Sequence, residues 1–540
     1  MSSELHLGVD VGGTHTDAVI LDENCALVAS AKVATAPDIR HGIEAAVDAV
    51  LRCSHVDPKR LRRVMVGTTQ ATNAIIERRG LRKVAVIRLG APFTAAVPPL
   101  STWPADLRDT VAIGEVIVAG GCGYDGEELS PLDREAIARF AASHAGKANA
   151  VAITGVFSPM SPEHELEAAE IVHRELGDVD ICLSHEIGTI GLIERENATV
   201  LNAALISVVG SVASELDIAL SSRNVDADIF FTQNDGTLMA LEFALRFPVL
   251  TIASGPANSM RGAAFLSGAD DAVVVDVGGS STDIGVLVRG FPYESSSPVA
   301  ISAVETNFRM PDVLSIRLGG GTRVEVDGGH GPLGKSVGSR LTAEALVFGG
   351  STPTLTDAAV AMGRMRFGTH RVPSRWRERL DQALAHADAL IADGVDRMRL
   401  TSEPWPLIVV GGAGELVPED IQGVTEVVRP TNHDVANAIG AAIAPVSGSA
   451  ERICPNRPDR KNTAIDDACD EAFARAVQAG ADPRHVEIAE IDQIPLSYLV
   501  DPAVRIRVRA VGALLNVPTP ETGARPISRR RSEGRARGDS

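Results

Sequence analysis

Aromatic side chains are scarce in this chain of 540 residues, where 3 Trp, 3 Tyr and 13 Phe make up 4% of the total. A core so poor in rings must be filled by Ala, Val, Leu and Ile, which favours layered strands and helices joined by glycine turns. The chain is too long for one ordinary core, so two or more domains are expected. Its 45% hydrophobic and 22% charged residues are typical of a globular protein, not of a disordered one.

Positive charge is also in short supply, because 51 Lys and Arg face 70 Asp and Glu and leave a net charge of −19. This balance argues against nucleic acid or an anionic membrane as a general partner. The exception is the stretch 525–540, which carries six Arg and two acidic residues. We predict a disordered, solvated tail there; an RNA- or partner-binding arm is the alternative, but no aromatic residues interleave with the arginines.

The six cysteines form no CxxC pair and no metal-ligand spacing, which indicates a reducing compartment. The first residues lack a basic segment followed by an apolar run, so no signal peptide is predicted. The most apolar stretch, 198–219, is interrupted by Asn, Ser and Glu, which favours a buried amphipathic helix over a membrane span. We therefore expect a cytoplasmic protein with no membrane partner.

Strand and helix patterns alternate along most of the chain, which predicts an α/β fold. The stretch 91–130 is rich in Pro and Gly and is predicted to be an irregular loop or hairpin insertion. A long helix is predicted at 194–220, and a small α+β unit near the end, with a helix at 464–479 and strands at 485–490 and 504–510.

The strongest local feature is the pattern D-V-G-G-[TS]-x-T-D, which occurs at 10–17 and again at 276–283, about half a chain apart. Each copy lies between two apolar strand candidates. Paired glycines let backbone N–H groups approach a phosphate, and neighbouring hydroxyls add donors. The residues expected to bind phosphate are Gly12, Gly13, Thr14, Thr16, Gly278, Gly279, Ser280, Ser281 and Thr282. Asp10 and Asp276 at the strand ends suit hydrated Mg²⁺. Two ordinary hairpins with Gly-Gly turns are the alternative, but the duplication argues against it.

A third turn, 409–415, follows an apolar strand and carries Gly411, Gly412 and Gly414, which would let a base or ribose approach the backbone. This signal is weak alone, and the chain has no Walker A lysine pattern. Two helices, 68–76 and 437–443, have closely spaced small residues that allow tight helix approach, as at a hinge. Plain core packing explains the same spacing.

These five elements together resemble the actin, hexokinase and Hsp70 ATPase superfamily. Several longer stretches are similar to the hydantoinase/oxoprolinase family, specifically its ATP-binding A subunit. They are GTTQATNA at 67–74, SHEI at 184–187, ERENA at 194–198, NDGT at 234–237, SGPA at 254–257 and TLTD at 354–357. The resemblance covers roughly residues 5–515.

The resemblance implies an α/β fold of two RNase H-like lobes that enclose ATP and Mg²⁺ in a nucleotide cleft. We expect an N-terminal lobe at 1–193, a second lobe at 194–450, the α+β appendix at 451–515 and the basic tail at 516–540. It also implies ATP-dependent opening of a cyclic amide such as a hydantoin, an oxoproline or another lactam. Asp10, Asp276 and Asp283 are the candidate catalytic residues, with Asp10 and Asp276 as metal ligands.

In the family, ring opening usually requires a separate B subunit, so a hydantoinase B-type partner is expected here. Two alternatives remain open. One is a carboxylase subunit that activates a ketone or bicarbonate by phosphorylation. The other is a nucleotide-driven switch, such as a chaperone-like reactivating factor.

Four residues are candidates for binding the substrate, and each has a plainer explanation. His15 lies within the first glycine turn and is as readily a solvent-facing turn residue. Asn234 and Asp235 precede Gly236, where an ordinary turn is the alternative. Arg309 can bind a carboxylate or form a surface ion pair. The cluster of His185, Glu186, Glu194 and Glu196 suits a metal or acid–base site, although capping of the long helix is the favoured interpretation.

Overall fold

The computed structural model describes residues 4–35, 39–188, 190–294, 299–308, 310–325, 332–496 and 503–514. Arg309 and the predicted tail at 516–540 lie outside the described residues. The strands are β1 (Leu5–Val11), β2 (His15–Asp22), β3 (Leu27–Ala34), β4 (Leu61–Thr68), β5 (Val84–Ala91), β6 (Ala112–Ala119), β7 (Ala150–Gly155), β8 (Asp180–Leu183), β9 (Asp228–Thr232), β10 (Leu238–Ala240), β11 (Ala272–Val277), β12 (Thr282–Val288), β13 (Phe291–Pro292), β14 (Val299–Ile301), β15 (Val304–Thr306), β16 (Val313–Ile316), β17 (Thr322–Val324), β18 (Leu333–Ser336), β19 (Trp405–Val410), β20 (Val424–Val428), β21 (Val446–Pro455), β22 (Ala481–Leu496) and β23 (Ala503–Leu514). The helices are α1 (Ile39–Ser54), α2 (Gln70–Glu77), α3 (Ala105–Val111), α4 (Arg134–Ser143), α5 (Glu163–Leu176), α6 (Ser184–Ile187), α7 (Leu192–Ser221), α8 (Leu241–Arg246), α9 (Ser254–Ser267), α10 (Leu341–Glu344), α11 (Leu355–Ala361), α12 (Arg377–Met398), α13 (Ala436–Ile443) and α14 (Pro458–Gln478).

The sequence repeat is also a repeat of strand pairing. In the first large sheet the order is β3-β2-β1-β4-β9, and in the second it is β13-β12-β11-β19-β20. In both sheets the first three strands pair antiparallel and the last three pair parallel. Every residue of β1 is buried, as is typical of a central strand covered on both faces. The α/β fold predicted from the sequence is therefore present, with the two D-V-G-G motifs at equivalent hairpins.

Two helices cross between these sheets and touch backbone to backbone. α9 leads from the first sheet to β11, and α13 leads from β20 back to β21. A Cβ added to Gly440 would lie 1.9 Å from the carbonyl oxygen of Asn258, and one added to Gly262 would lie 2.0 Å from that of Ala436. The small residues of 437–443 thus do allow a tight helix approach, and the partner is α9. The other small-residue helix, α2, packs against α7.

A third, four-stranded sheet lies between α2 and α7 in the sequence. Its strands are all parallel, in the order β6-β5-β7-β8. The prediction of an irregular stretch at 91–130 was wrong in part, because α3 and β6 form within it. β6 is an edge strand whose residues are mostly only half-buried, so the apolar pattern that marks a central strand is weak there.

The predicted long helix is confirmed as α7, which has 30 residues. All of its residues from Arg195 to Leu205 are buried. In the part of the chain that the structure describes, α7 is the one helix whose length and composition would suit a membrane span, and half of its most apolar stretch is buried within the protein. The core helix of a soluble protein has the same features.

The C-terminal strands extend the first sheet. β21 pairs with β10, and β23 lies between β21 and β22, so the complete first sheet has nine strands. The predicted helix at 464–479 and the two predicted strands after it are confirmed as α14, β22 and β23, each of them longer than predicted. The domain boundaries given above stay predictions.

Candidate functional site

The two D-V-G-G motifs form equivalent turns with carboxylates at the same positions. Asp10 pairs with Asp17 across the β1–β2 hairpin, and Asp276 pairs with Asp283 across the β11–β12 hairpin. Each turn is closed by the same backbone bond. The N–H of Gly12 donates to the carbonyl of His15 at 3.1 Å, and that of Gly278 donates to Ser281 at 2.9 Å. The local sequence thus dictates both turns in the same way.

The two turns and the third glycine turn converge. A Cβ on Gly279 would lie 3.3 Å from the Thr14 side chain, so the first turn faces the second. Gly411 has φ +88°, and a Cβ there would lie 2.2 Å from Oδ1 of Asp276. A Cβ on Gly412 would lie 3.8 Å from Nζ of Lys32, which belongs to the first sheet. Only glycine suits position 411, because the left-handed backbone and the nearby carboxylate both exclude a side chain.

Burial raises the pKa values of the carboxylates in these turns. Burial and the charges of Asp17 and Asp276 raise the pKa of Asp10 to about 7. Burial also raises the pKa of Asp276, and burial together with the charge of Asp276 raises that of Asp283 to about 6. The structure places one cation beside them: Nζ of Lys32 lies 2.6 Å from both carboxylate oxygens of Asp17. Positive charge from a ligand would therefore be favourable here.

Two polar side chains that the sequence patterns did not reveal tie the two halves together. The side chain of Asn437, on α13, lies close enough to Asp10 and Asp276 to lower the pKa of both carboxylates. Ser259, on α9, donates to Asp276 and contacts Oδ1 of Asn437 at 2.5 Å. The available signal was Asn437 itself, because it is the one polar residue in the otherwise apolar α13.

The residues predicted to bind phosphate differ in their exposure to solvent. Thr16 and Thr282 are buried behind the turns. The Thr16 hydroxyl contacts that of Thr35 at 3.2 Å, and Thr282 donates to the carbonyl of Leu318 at 2.7 Å. Ser280 donates to Ser336 at 3.1 Å. In contrast, Gly13 and Ser281 are exposed, and Gly12, Thr14, Gly278 and Gly279 are partly exposed. The outward-facing atoms of the turns are thus mainly backbone.

These carboxylates suit Mg²⁺ together with phosphate. Oδ1 of Asp10 is buried and has no hydrogen-bond partner among the described residues. Within the same residues, no group of three or more His, Cys, Asp or Glu side chains is arranged to hold a metal on its own. Mg²⁺ commonly takes one or two carboxylates and completes its shell with water and phosphate, so Asp10 and Asp276 fit the ion in that mode.

The candidate substrate-binding residues have different environments in the structure. His15 is partly buried, with Nδ1 3.3 Å from the Thr14 hydroxyl, and burial and the charge of Lys32 lower its pKa, which favours the neutral ring. Asp235 accepts hydrogen bonds from the N–H and hydroxyl of Thr237 at 3.0 and 2.6 Å, as in an ordinary turn. Asn234 is only 4% exposed, and its Nδ2 has no partner among the described residues.

A second polar cluster lies at the carboxyl end of the parallel sheet. Oε2 of Glu165 lies 2.7 Å from Nδ1 of His185, and Oε1 accepts a hydrogen bond from Ser184. Nε of Arg195 donates to the Ser184 hydroxyl at 2.9 Å. Burial raises the pKa of Glu165, but the bonds from His185 and Ser184 and the charge of Arg195 outweigh it and hold the pKa below its usual range. The sequence analysis did not single out Glu165, which comes from the neighbouring α5.

Two acidic residues of that predicted cluster, Glu186 and Glu196, have separate partners. Glu186 pairs with Arg246 near the surface. Glu196 forms a fully buried pair with Arg88, with two bonds of 2.6 Å. Glu165 thus joins α5 to α6, Glu186 joins α6 to α8, and Glu196 joins α7 to β5, so these three acidic side chains do not converge on one metal.

Known proteins share both the sequence pattern and the fold. Residues 6–176 match the hydantoinase/oxoprolinase N-terminal region, and residues 195–387 match the hydantoinase/oxoprolinase domain. The caprolactamase alpha subunit of Pseudomonas jessenii is 30% identical over 392 residues, which are 68% of this chain and 55% of that protein. The acetophenone carboxylase gamma subunit of Aromatoleum aromaticum is 25% identical over 504 residues, 82% of this chain and 66% of that one. The chain thus spans between half and two thirds of the length of these relatives.

Two solved structures have the same mixed α/β fold with several sheets. The ATP-dependent caprolactamase of P. jessenii superposes with a TM-score of 0.73 at 21% identity, covering 96% of this chain and 89% of that one. Nucleotide-free acetone carboxylase gives a TM-score of 0.67 at 17% identity, covering 96% and 88%. With the two domain matches spanning more than half of its length, the chain belongs to the hydantoinase/oxoprolinase family.

Proposed function

We propose that this chain is the ATP-binding subunit of an enzyme that opens cyclic amides, such as hydantoins, oxoproline or other lactams, at the expense of ATP. The observation that carries the proposal is the convergence of two D-V-G-G turns on buried Asp10 and half-buried Asp276. Family membership and the 30% identity to a caprolactamase alpha subunit support the substrate class.

The two large sheets would be the cores of two RNase H-like lobes with ATP between them. The shared order and direction of their strands support this division, as does the position of α9 and α13 as the two crossings. We keep the boundaries 1–193, 194–450 and 451–515 as part of the proposal. Glycines 411, 412 and 414 would line the side of the cleft that takes the adenosine.

The proposed reaction starts from a carbonyl that amide resonance makes a poor electrophile. The carbonyl oxygen attacks the γ-phosphorus of ATP, the bond from that phosphorus to ADP breaks, and the amide N–H proton is released. Water then adds to the carbon, the ring C–N bond breaks with the nitrogen leaving as an amine, and a second water releases phosphate from the acyl phosphate. Positioning and charge neutralisation dominate such a transfer.

In this mechanism the protein mostly binds and orients. The backbone N–H groups at Gly12, Gly13, Gly278 and Gly279 would hold the β- and γ-phosphates. Asp10 and Asp276 would hold Mg²⁺, and Mg²⁺ offsets the charge that develops on the phosphate oxygens. Asp283 lies across the hairpin from Asp276 and would orient water bound near the ion.

A separate B-type subunit is part of the proposal, so the working enzyme would be a hetero-oligomer. Both curated relatives are named as subunits of larger enzymes. The second candidate function is carboxylation, in which the same site would phosphorylate a ketone or bicarbonate. The 25% identity to an acetophenone carboxylase subunit favours it as the runner-up.

The test measures ATP turnover with a panel of hydantoins and lactams, in the presence of a co-expressed B-type subunit. We expect one ADP released per ring opened, with the amino acid identified by mass spectrometry. Turnover that requires bicarbonate would favour the carboxylase. Nucleotide-controlled release of a large client protein, with no small product, would favour a reactivating factor and refute the enzyme.

A further inference from the structure

Three buried side chains on or next to the first turns of α9, close to Asp10, each have a polar atom without a partner among the described residues. We infer that Asn234, Ser254 and Asn258 bind the amide group of the substrate here and select a ring amide that carries an N–H. The inference rests on the proposed function and adds to it the residues that recognise the amide and the chemistry by which a lactam is told from a ketone.

The site lies at the carboxyl ends of three parallel neighbours, β1, β4 and β9. Asp10 is in register with Gly67, and Thr232 is the last residue of β9. Because Gly67 has no side chain, two neighbouring side chains can come close to its backbone. A Cβ there would lie 2.6 Å from Oδ1 of Asp10 and 2.7 Å from Nδ2 of Asn258. Asn258 and Asp10 therefore approach each other over Gly67.

The hydrogen bonds around Thr232 fix the orientation of the Asn258 amide. The Thr232 hydroxyl donates to the carbonyl of Val66 at 3.4 Å and accepts from Nδ2 of Asn258 at 3.2 Å. Oδ1 of Asn258 is thereby left as the acceptor. It is fully buried and has no partner among the described residues.

Ser254 and Asn234 supply further donors, one from α9 and one from the turn that packs against it, where a Cβ on Gly236 would lie 3.2 Å from that of Ala257. Ser254 is one helical turn before Asn258, so their side chains share a face of α9. Its hydroxyl is fully buried and also lacks a partner in the described part of the chain. The backbone N–H of Asn234 donates to Leu250 at 2.8 Å, which holds this residue against the segment leading into α9.

The first turn of α9 adds donors of its own. The residue before the helix is Ala253, at φ +54°, and no side chain caps the helix. Its N–H donates to the Thr72 hydroxyl at 3.0 Å, so the start of α2 packs alongside. Uncapped N–H groups and the positive end of the helix dipole favour an oxygen that carries partial negative charge.

This pattern of donors and acceptor matches a secondary amide in a small ring. A ring of five to seven atoms forces the amide to be cis, so its C=O and N–H point to the same side. The carbonyl oxygen would accept from Asn234, Ser254 and the helix start, and the N–H would donate to Oδ1 of Asn258. A ketone of equal size would leave Oδ1 unpaired, which costs binding energy.

The experiment measures equilibrium binding of three probes to the full chain with its co-expressed B-type subunit, in the presence of a non-hydrolysable ATP analogue. The probes are δ-valerolactam, its N-methyl derivative and cyclohexanone. All three are six-membered rings with a carbonyl group, but only δ-valerolactam carries an N–H. Wild type should bind the lactam about tenfold or more tightly than the other two, the cost of one unpaired buried acceptor. Asn258→Leu should abolish this preference for the lactam. Asn234→Leu should weaken the binding of the lactam and of the ketone by similar factors.

Binding of the ATP analogue to each variant checks that the site has folded. Asn24→Ala, in an exposed turn remote from the site, is the matched control. If Asn258→Leu still prefers the N–H lactam, the inference is wrong, but the proposed function is unaffected. If wild type binds δ-valerolactam no more tightly than the ketone, the inference fails, and if no hydantoin or lactam of the panel stimulates ATP turnover, the proposed function fails as well.

Discussion

Asp10 and Asp276 belong to opposite halves of the chain, yet one side chain, that of Asn437, lies close enough to both to lower the pKa of each. The contact is possible because α13 crosses between the two sheets with almost no side-chain bulk on the face toward α9. Asp10 is buried, Asp276 is half-buried, and the pKa values of both are raised, so binding of a cation between them would be favourable.

Replacing either carboxylate should abolish nucleotide chemistry without unfolding the protein. We expect Asp10→Asn or Asp276→Asn to lower Mg·ATP turnover by about 100-fold or more, as for removal of a group that stabilises transition-state charge. The melting temperature should be unchanged or higher, because a neutral amide relieves repulsion among buried carboxylates. Asp57→Asn, at an exposed cap, is the control. Wild-type turnover in both site variants would rule out the two-turn model.

Titration of Asp283 should make the stability of the folded protein depend on pH. Its pKa is about 6 in the folded protein against 3.8 as the ordinary value, mainly because it is buried. Between these values the folded state binds more protons than the unfolded state, so the contribution of this group to stability falls as the pH rises. Urea midpoints of nucleotide-free wild type and Asp283→Asn, compared from pH 4 to pH 8, should converge at low pH, and wild type should become relatively less stable above pH 6. A constant difference across that range would contradict the raised pKa.

Gly411 can be tested against a glycine that has the same backbone strain but open space. Gly411→Ala places a methyl group 2.2 Å from Oδ1 of Asp276, whereas Gly363, at φ +79°, has nothing within 4 Å of its added Cβ. Both substitutions carry a strain of about 1–3 kcal/mol. Only Gly411→Ala should also displace Asp276, so its ATP turnover should fall while Gly363→Ala keeps normal turnover. Equal turnover in the two variants would show that the close approach is unimportant.

The buried pair Arg88–Glu196 should matter for stability far more than a surface pair. Arg88→Met leaves Glu196 charged and uncompensated, which should cost about 3–5 kcal/mol in the free energy of unfolding. Arg139→Met breaks an exposed pair with Glu135, 63% and 83% exposed, and should cost no more than about 1 kcal/mol. Urea unfolding measures both. The double variant Arg88→Met/Glu196→Leu should recover much of the loss, and its failure to do so would show that packing, not charge, is responsible.

The sequence predicted those parts of the site that depend on neighbouring residues. Gly12, Gly13, Gly278 and Gly279 form the turns that their own motifs indicate, and α7, α14 and the last two strands were recognised from periodicity. Contacts between distant segments could not be read in this way. Asn437, Ser259 and Lys32 reach the carboxylates only because the helix crossing and the β2–β3 pairing bring them there, and nothing within each local segment marks that outcome.

The edge strand β6 was missed for a different reason. Pro and Gly flank it, and half-burial along its length blurs the apolar pattern. Glu165 also looked like an ordinary charge in the first turn of an amphipathic helix. Its burial follows from the position of α5 against the end of the parallel sheet, which is a tertiary property.

The nine-stranded sheet has a consequence for synthesis of the protein. Its strands run from residue 5 to residue 514, and β21 and β23 cover the edge that β10 would otherwise expose. A nascent chain that has just completed β10 therefore presents an open strand edge for the time needed to translate more than two hundred further residues. Such an edge recruits other strands. We expect folding of the first sheet to finish only late in translation, with the growing chain dependent on protection at that edge until then.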